Sequence, residues 1–229
     1  MDFQFSLPRW RRKSAERGVA VLLASSVPSA RKTLRQAVSR FIAADFVEVD
    51  SKAELHSAVT FDEFDLIVTE SEINGGLCFD IVEQIRYGRL HCHAFPVIVI
   101  LASHGADGQV DQDRECGADL VLNAGTAART LPGQLDKLIQ ERRPFVVTPH
   151  YIGPDRRDAC REAPTDMPHV SVPNPLAARL SGMAEADYRR QIALASHGVS
   201  LMRRALYFVR MNQTREVPIR ATWDQIEPI

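Results

Sequence analysis

The stretch Asp65-Leu66-Ile67-Val68-Thr69-Glu70-Ser71-Glu72-Ile73-Asn74-Gly75-Gly76 constrains the fold of this chain more than any other. Its apolar run is largely β-branched, is entered by one acid and left by another, and is followed by a glycine pair and then a helical pattern. Such a run reads as a strand buried on both faces, the condition of a parallel sheet covered by helices. Open α/β sheets gather their chemistry in the crevice outside the carboxyl ends of the strands. Glu70, at the tip of this strand, is therefore the first residue to ask about.

The chain before and after it repeats one pattern. Val19-Ala20-Val21-Leu22-Leu23 is a short apolar run, Ala24-Ser25-Ser26 ends it, and Pro28 and Ser29 open a stretch from Ala30 to Ile42 in which Leu34, Val38 and Phe41 fall at helical spacings. Phe46-Val47-Glu48-Val49 alternates as an edge strand does, and Ser51 caps a helix with Leu55 and Val59 on one face. After the Asp65 strand, Leu77, Ile81, Val82 and Ile85 predict the inner face of a further helix. Phe95-Pro96-Val97-Ile98-Val99-Ile100-Leu101 is the longest buried-strand signal, with its proline at the entrance where a missing donor is tolerated. A polar helix is expected from Asp107 to Cys116. Gly117-Ala118-Asp119-Leu120-Val121-Leu122 reads as turn and strand, and Leu131, Leu135, Leu138 and Ile139 mark a last amphipathic helix. Five strands alternating with five helices predict a doubly wound five-stranded parallel sheet with helices on both faces.

Composition then divides the chain into a basic arm at 1–18, the α/β domain at 19–143, a Pro-rich extended segment at 144–182, an amphipathic helix at 183–212 and a tail at 213–229. The arm sets Arg9, Arg11, Arg12 and Lys13 among Phe3, Phe5, Leu7 and Trp10, which fits an interfacial arm or, as expected here, a solvated terminus. Seven prolines from Pro144 to Pro175 exclude long helices there. Beyond them Tyr188, Ile192, Ala195, Val199, Met202, Leu206 and Val209 recur at spacings of 4, 3, 4, 3, 4 and 3, a seam for a homodimeric coiled coil, a partner helix or docking on the chain's own domain.

A formal net charge of -1 gives no global attraction to nucleic acid or to a membrane. The four cysteines, Cys78, Cys92, Cys116 and Cys160, form no CxxC pair, so neither a zinc ribbon nor a disulfide framework is expected. No apolar run reaches membrane-spanning length and none follows the basic arm directly, so the chain is expected to be cytoplasmic and without stable membrane insertion.

The order of elements, the Asp65 to Glu70 strand, the Pro96 to Leu101 strand and Gly117-Ala118-Asp119 together resemble the receiver domain of two-component response regulators, over Val19 to Arg143, a resemblance that implies a flavodoxin-like sheet of strand order 2-1-3-4-5. The resemblance implies a phosphoacceptor aspartate at the end of the third strand, and that position holds Glu70. It implies a magnesium-holding acidic pair after the first strand, and those positions hold Ser25 and Ser26. The family's switch hydroxyl falls on Leu101 or Ala102, with Ser103 the nearest hydroxyl, and its lysine falls on Asn123 or Ala124, the next lysine being Lys137. The aromatic switch falls on Leu120 or Val121.

These departures bear on the chemistry. Magnesium takes near-octahedral oxygen ligands, usually anchored by carboxylates, and neutralises charge during phosphoryl transfer, which two serines do not do. Glu70 is one methylene longer than aspartate, which would carry its carboxylate about 1.5 Å further out and misplace it for in-line attack. The expectation is a degenerate, phosphorylation-independent receiver, or pseudo-receiver, with no cofactor and no catalytic step. Glu70 is then a relic or a fixed charge standing in for a phosphorylated acid. The protein would act through protein contacts, with a histidine kinase or another regulator as partner, and without a DNA-binding output domain or nucleic-acid contact. One alternative is a conventional phosphoryl-accepting regulator with an unusual acceptor, for which Asp65 and Glu72 are the local substitutes.

Other constellations have plainer readings. His91-Cys92-His93 has alternate imidazoles, with His104 the nearest further ligand, and reads as a surface loop. Ser103, His104 and Asp107 lack a GxSxG elbow. Tyr151 to Arg157 resembles the segment that follows receivers in some bacterial response regulators. Arg157 and Arg161 have the RxxxR spacing of PilZ-type cyclic-dinucleotide sites, but the companion DxSxxG-like stretch is absent, so a cyclic-dinucleotide-responsive adaptor is a second alternative and a solvated turn around Arg156 and Arg157 is expected.

Overall fold

The computed structural model describes residues 18–90, 92–103, 116–156 and 169–213, the last five by backbone alone. The chain begins with β1 (Val19–Ala24), α1 (Pro28–Ser39), β2 (Ala44–Val49), α2 (Lys52–Phe61) and β3 (Leu66–Glu70). A two-stranded hairpin, β4 (Glu72–Ile73) and β5 (Gly76–Leu77), precedes α3 (Phe79–Arg86). Then come β6 (Val97–Ala102), β7 (Leu120–Asn123) and α4 (Ala127–Gln140). Beyond them lie β8 (Phe145–Val147), β9 (Ile152–Pro154), β10 (His169–Val170), α5 (Pro175–Leu180) and α6 (Glu185–Gln213).

Five strands form one parallel sheet in the order β2-β1-β3-β6-β7. With β6 and β7 as its fourth and fifth strands, this is the 2-1-3-4-5 order of the doubly wound flavodoxin-like fold. The pleat sorts the side chains. Val19, Val21 and Leu23 of β1 and Val97, Val99 and Leu101 of β6 join the cluster under α1 and α4, while Leu22, Ile98 and Ile100 join the one under α2 and α3. Each fully buried aliphatic side chain of this kind contributes about 1.5–3 kcal/mol. That burial makes β3 the sheet's centre.

Local chemistry sets the ends. Pro28 opens α1 and Pro175 opens α5, and Ser51 and Asn174 cap α2 and α5 by accepting from the amides of Glu54 and Ala177. Two helix faces differ from the sequence expectation. Leu77 lies in β5 at 38% exposure, because Gly75 and Gly76 adopt φ of 102° and 117° and turn the chain into a hairpin before α3 starts. Phe41 follows the end of α1 and is 37% exposed. The helix expected over Asp107 to Cys116 lies, except for Cys116 itself, outside the described residues, as do residues 1–17 of the arm and 214–229 of the tail.

The segment after Arg143 forms a small antiparallel sheet, β10-β8-β9, and the helix α5. Its Phe145, Val147, Ile152 and Val170 join Phe95, Ala195 and Val199 in a third core cluster. The α6 seam is used here: Tyr188, Ala195 and Val199 are buried, with Ile192, Met202 and Leu206 packed at the margin. For these residues, docking on the chain's own domain is the arrangement observed. Nothing is described of the Val209 side chain.

Candidate functional site

The carboxyl ends of the sheet bring together three of the residues singled out by sequence. β1 ends at Ala24, paired with Thr69, so Ser25 and Ser26 emerge beside the tip of β3. Ser25 is fully buried, and its hydroxyl donates to Glu70 Oε1 at 2.7 Å. The amide and hydroxyl of Ser26 donate to Glu70 Oε2 at 3.3 and 3.5 Å. The extra methylene of Glu70 therefore does not push the carboxylate outward, because the side chain turns sideways onto the two serines. Both carboxylate oxygens already accept hydrogen bonds.

The serine loop is fixed in turn. Val27 donates its amide to Ser25 Oγ at 3.1 Å, and Arg31 of α1 donates to the Ser25 carbonyl while lying 3.8 Å from Glu48. On the other side Glu70 is in register with Leu101, and the Ser71 amide donates to the Leu101 carbonyl at 3.0 Å. Leu101 is 2% exposed and belongs to the core, Ala102 is half-buried, and Ser103 is exposed. Asn123 ends β7 and its Oδ1 accepts from the Gly125 amide at 2.9 Å, so it shapes its own turn; Ala124 donates to the Ala102 carbonyl at 3.0 Å. Leu120 and Val121, at the aromatic-switch position, are half-buried aliphatics packed against the two core clusters. The crevice thus assembles Ser25, Ser26 and Glu70.

This donor set does not fit magnesium. It offers one carboxylate whose oxygens are turned to three donors, plus two hydroxyls, where the ion wants several anionic oxygens in near-octahedral array. Among the described residues no group of three or more His, Cys, Asp or Glu side chains is placed to hold a metal. His93 is occupied otherwise: its Nδ1 accepts from the Phe95 amide at 3.1 Å and its Nε2 faces the Tyr188 hydroxyl at 3.4 Å. Burial, with Arg142 and Arg86 nearby, pushes the imidazole down to about 3. Burial also pushes the Cys92 thiol up to about 12, so it is held as a thiol rather than a reactive thiolate. His91, His104, Asp107, Arg157 and Arg161 lie outside the described residues.

The two substitute acids are placed apart from Ser25 and Ser26. Glu72 is exposed on β4. Asp65 precedes β3 at the amino end of the sheet, where it accepts from the Ala20 amide at 2.8 Å and pairs with Arg179 of α5 at 3.1 Å. Burial pushes its carboxyl above the usual carboxylate range, despite the Ala20 and Arg179 contacts.

That amino end also holds a buried ion-pair network. Asp119, just before β7, accepts from Arg86 Nη2 and Arg142 Nε, each at 2.8 Å, and from the Ile98 amide at 2.9 Å. Arg86 also donates to the carbonyls of Gly117, Ala94 and Pro96, and Arg142 to those of Phe95, Pro96 and Pro173. The three side chains are 0–3% exposed, and the Phe145 ring lies 5.0 and 5.1 Å from the two guanidinium carbons. Burial alone would raise the Asp119 carboxyl, but Arg142 and Arg86 outweigh it and hold it below the usual range. Burial lowers Arg86 to about 10, still charged at neutral pH. Nearby Arg156 donates to the Ala118 carbonyl. Sequence periodicity did not single these residues out. The signal that finds them is a repeated one: Asp65-Leu66-Ile67-Val68 and Asp119-Leu120-Val121-Leu122 each set an acid before an apolar run, and Arg86 falls four residues after Val82 on a buried helix face.

No protein-family model matches the chain, and no curated protein matches it. Solved structures do. The signal receiver domain of NarL from Mycobacterium tuberculosis is 16% identical, with 56% of this chain and 100% of that one covered and a TM-score of 0.47. A chemotaxis response regulator of Vibrio cholerae is 17% identical over 52% of this chain and 98% of its own, at 0.46. The receiver domain of a signal transduction histidine kinase from Syntrophus aciditrophicus is 15% identical over 53% and 90%, at 0.47. In structure this chain is similar to response regulator receiver domains over roughly half of its length.

Proposed function

We propose that this chain is a phosphorylation-independent signalling protein of the cytoplasm. It has a receiver-type domain whose crevice is a fixed hydrogen-bonded carboxylate, and it works through contacts with other proteins rather than through a catalytic step or nucleic acid. The observation that carries this reading is the capture of Glu70 by Ser25 and Ser26. A phosphoryl acceptor needs a free carboxylate oxygen in line with the donor and a cation to neutralise the charge that develops. Here the positions that would supply the cation's anchors supply hydroxyl donors to the acid itself. A fold of this kind hosts many functions, so the weight rests on this site and not on the architecture.

The test is a titration of the full chain with magnesium and beryllofluoride, or magnesium and acetyl phosphate, followed by backbone amide shifts. The expected outcome is no saturable shift at Ser25, Ser26, Glu70 or Ser71. Saturable shifts centred on Glu70 would restore a conventional phosphoryl-accepting regulator.

A further inference from the structure

Helix α6 is docked by one face only. Nearly opposite the buried Tyr188, Ala195 and Val199, the side chains of Leu194, Leu201 and Phe208 are 67%, 51% and 66% exposed. They stand seven residues apart and so fall on one narrow line along the helix. Beside that line, also seven apart, stand Arg190, His197 and Arg204, all exposed. Ala193, Ser200 and Ala205, all small and exposed, lie on the same side of the helix. A cleft of about 740 Å³ continues the line between Phe208, Tyr207 and Arg204 on one side and Thr148 and Pro149 on the other.

The charge is one-sided. From Tyr188 to Gln213 the helix contains no aspartate or glutamate and carries Arg189, Arg190, Arg203, Arg204 and Arg210. Arg189 pairs with Glu63 and Glu185, and Arg203 lies 5.0 Å over the Tyr87 ring. Among the described residues Arg190 and Arg204 form no ion pair.

We propose that this line is a docking surface for an acidic amphipathic helix of a partner protein, one that presents a large apolar residue and a carboxylate in each heptad. The proposal rests on the reading that the chain works through protein contacts and names the surface used. A second copy of this chain would set arginine against arginine with no acid on the helix from Tyr188 to Gln213, which disfavours a homodimer here. A lipid surface suits a helix with a broad apolar face, whereas the exposed side of α6 sets Leu194, Leu201, Tyr207 and Phe208 among Arg190, His197 and Arg204, and its other face is buried in its own domain.

The probe is a labelled synthetic three-heptad helix with leucine and glutamate at the facing positions, its partner control carrying lysine for glutamate, and binding to the full chain is read by fluorescence anisotropy. The glutamate peptide is expected to bind saturably. Leu201→Ser and Arg204→Glu, both at exposed positions, should each weaken it by at least about tenfold, the scale of an interface hot spot. The lysine peptide should recover binding to Arg204→Glu, a charge swap that general unfolding does not produce. The surface is overturned if the glutamate peptide fails to bind or binds both variants equally. It is also overturned by a Leu201-dependent dimer of the chain alone in sedimentation, or by Leu201-dependent binding to phosphatidylglycerol vesicles. Affinity that rises in Asp224→Lys, Glu227→Lys would overturn it too, by making residues 214–229 the occupant. Peptide failure with a silent Glu70 in the beryllofluoride titration removes this surface alone; saturable shifts at Glu70 remove the phosphorylation-independent reading and leave the surface to its own result.

Discussion

The two ends of the central sheet are built on opposite terms. At the carboxyl end a single acid, Glu70, is met by two hydroxyls and an amide near solvent, with distances from 2.7 to 3.5 Å. At the amino end Asp119 and Asp65 sit almost out of solvent, each accepting from a neighbouring strand's amide and each paired with an arginine brought by the segment that follows the sheet. In an open α/β sheet the carboxyl end is where ligand chemistry is expected. In this chain the buried ion pairs of Asp119 and Asp65 lie at the other end, where Arg142 and Arg179 tie the Pro173 carbonyl and α5 to the domain.

The sharpest way to test that contrast is to remove the acid both arginines share. Asp119→Ala leaves Arg86 and Arg142 buried without their counter-charge, and denaturant unfolding should show a loss of about 3–5 kcal/mol, the usual cost of breaking a buried ion pair from one side. A loss near zero would mean that the carbonyl acceptors alone hold the guanidiniums. The second effect is a pH dependence at the same end. His93 has an ordinary value of 6.5 and a folded value of about 3, so between those values the unfolded chain binds a proton that the folded chain does not. Stability therefore falls as pH falls below 6.5, by roughly 2 kcal/mol down to about pH 5. His93→Gln should flatten that part of the stability curve. At the crevice Ser25→Ala should cost least, about 1–2 kcal/mol, because it removes the hydroxyl that donates to Glu70 and accepts from the Val27 amide, while the carboxylate keeps its Ser26 donors. A cost as large as that of Asp119→Ala would erase the distinction between the ends.

The sheet was legible because burial on two faces leaves a continuous apolar run, and the runs at Val19, Leu66 and Val97 are all core strands. The crevice was legible as a set of positions but not as a geometry. Nothing in the spacing of Ser25 and Glu70 says that the longer acid folds back onto the first strand, since that depends on a strand register fixed forty-five residues apart. The β4–β5 hairpin was hidden because Leu77 continues the helical spacing of α3 while two glycines with positive φ break the backbone before it. The arginines were hidden for a different reason. A buried guanidinium is satisfied by carbonyls scattered over Ala94, Pro96 and Gly117, and such a set has no period along the chain. Seven prolines from Pro144 to Pro175 pointed to extended backbone, and the strand pairing around Phe145 uses that backbone, with Pro154 itself opposite Phe145 at the end of β9.

The Phe145 ring lying against two guanidiniums has a consequence for how the molecule comes apart. A chain cut after Arg143, where the composition changes, would end the sheet domain neatly on paper. It would also strip the aromatic cover and the Pro173 carbonyl from Arg86 and Arg142 and expose two cations that Asp119 alone does not balance. The sheet and its appendage are therefore expected to melt in a single cooperative transition. Any displacement of α6 would then be felt through Tyr188, Arg179 and Asp65 at the root of β3, the strand that ends in Glu70.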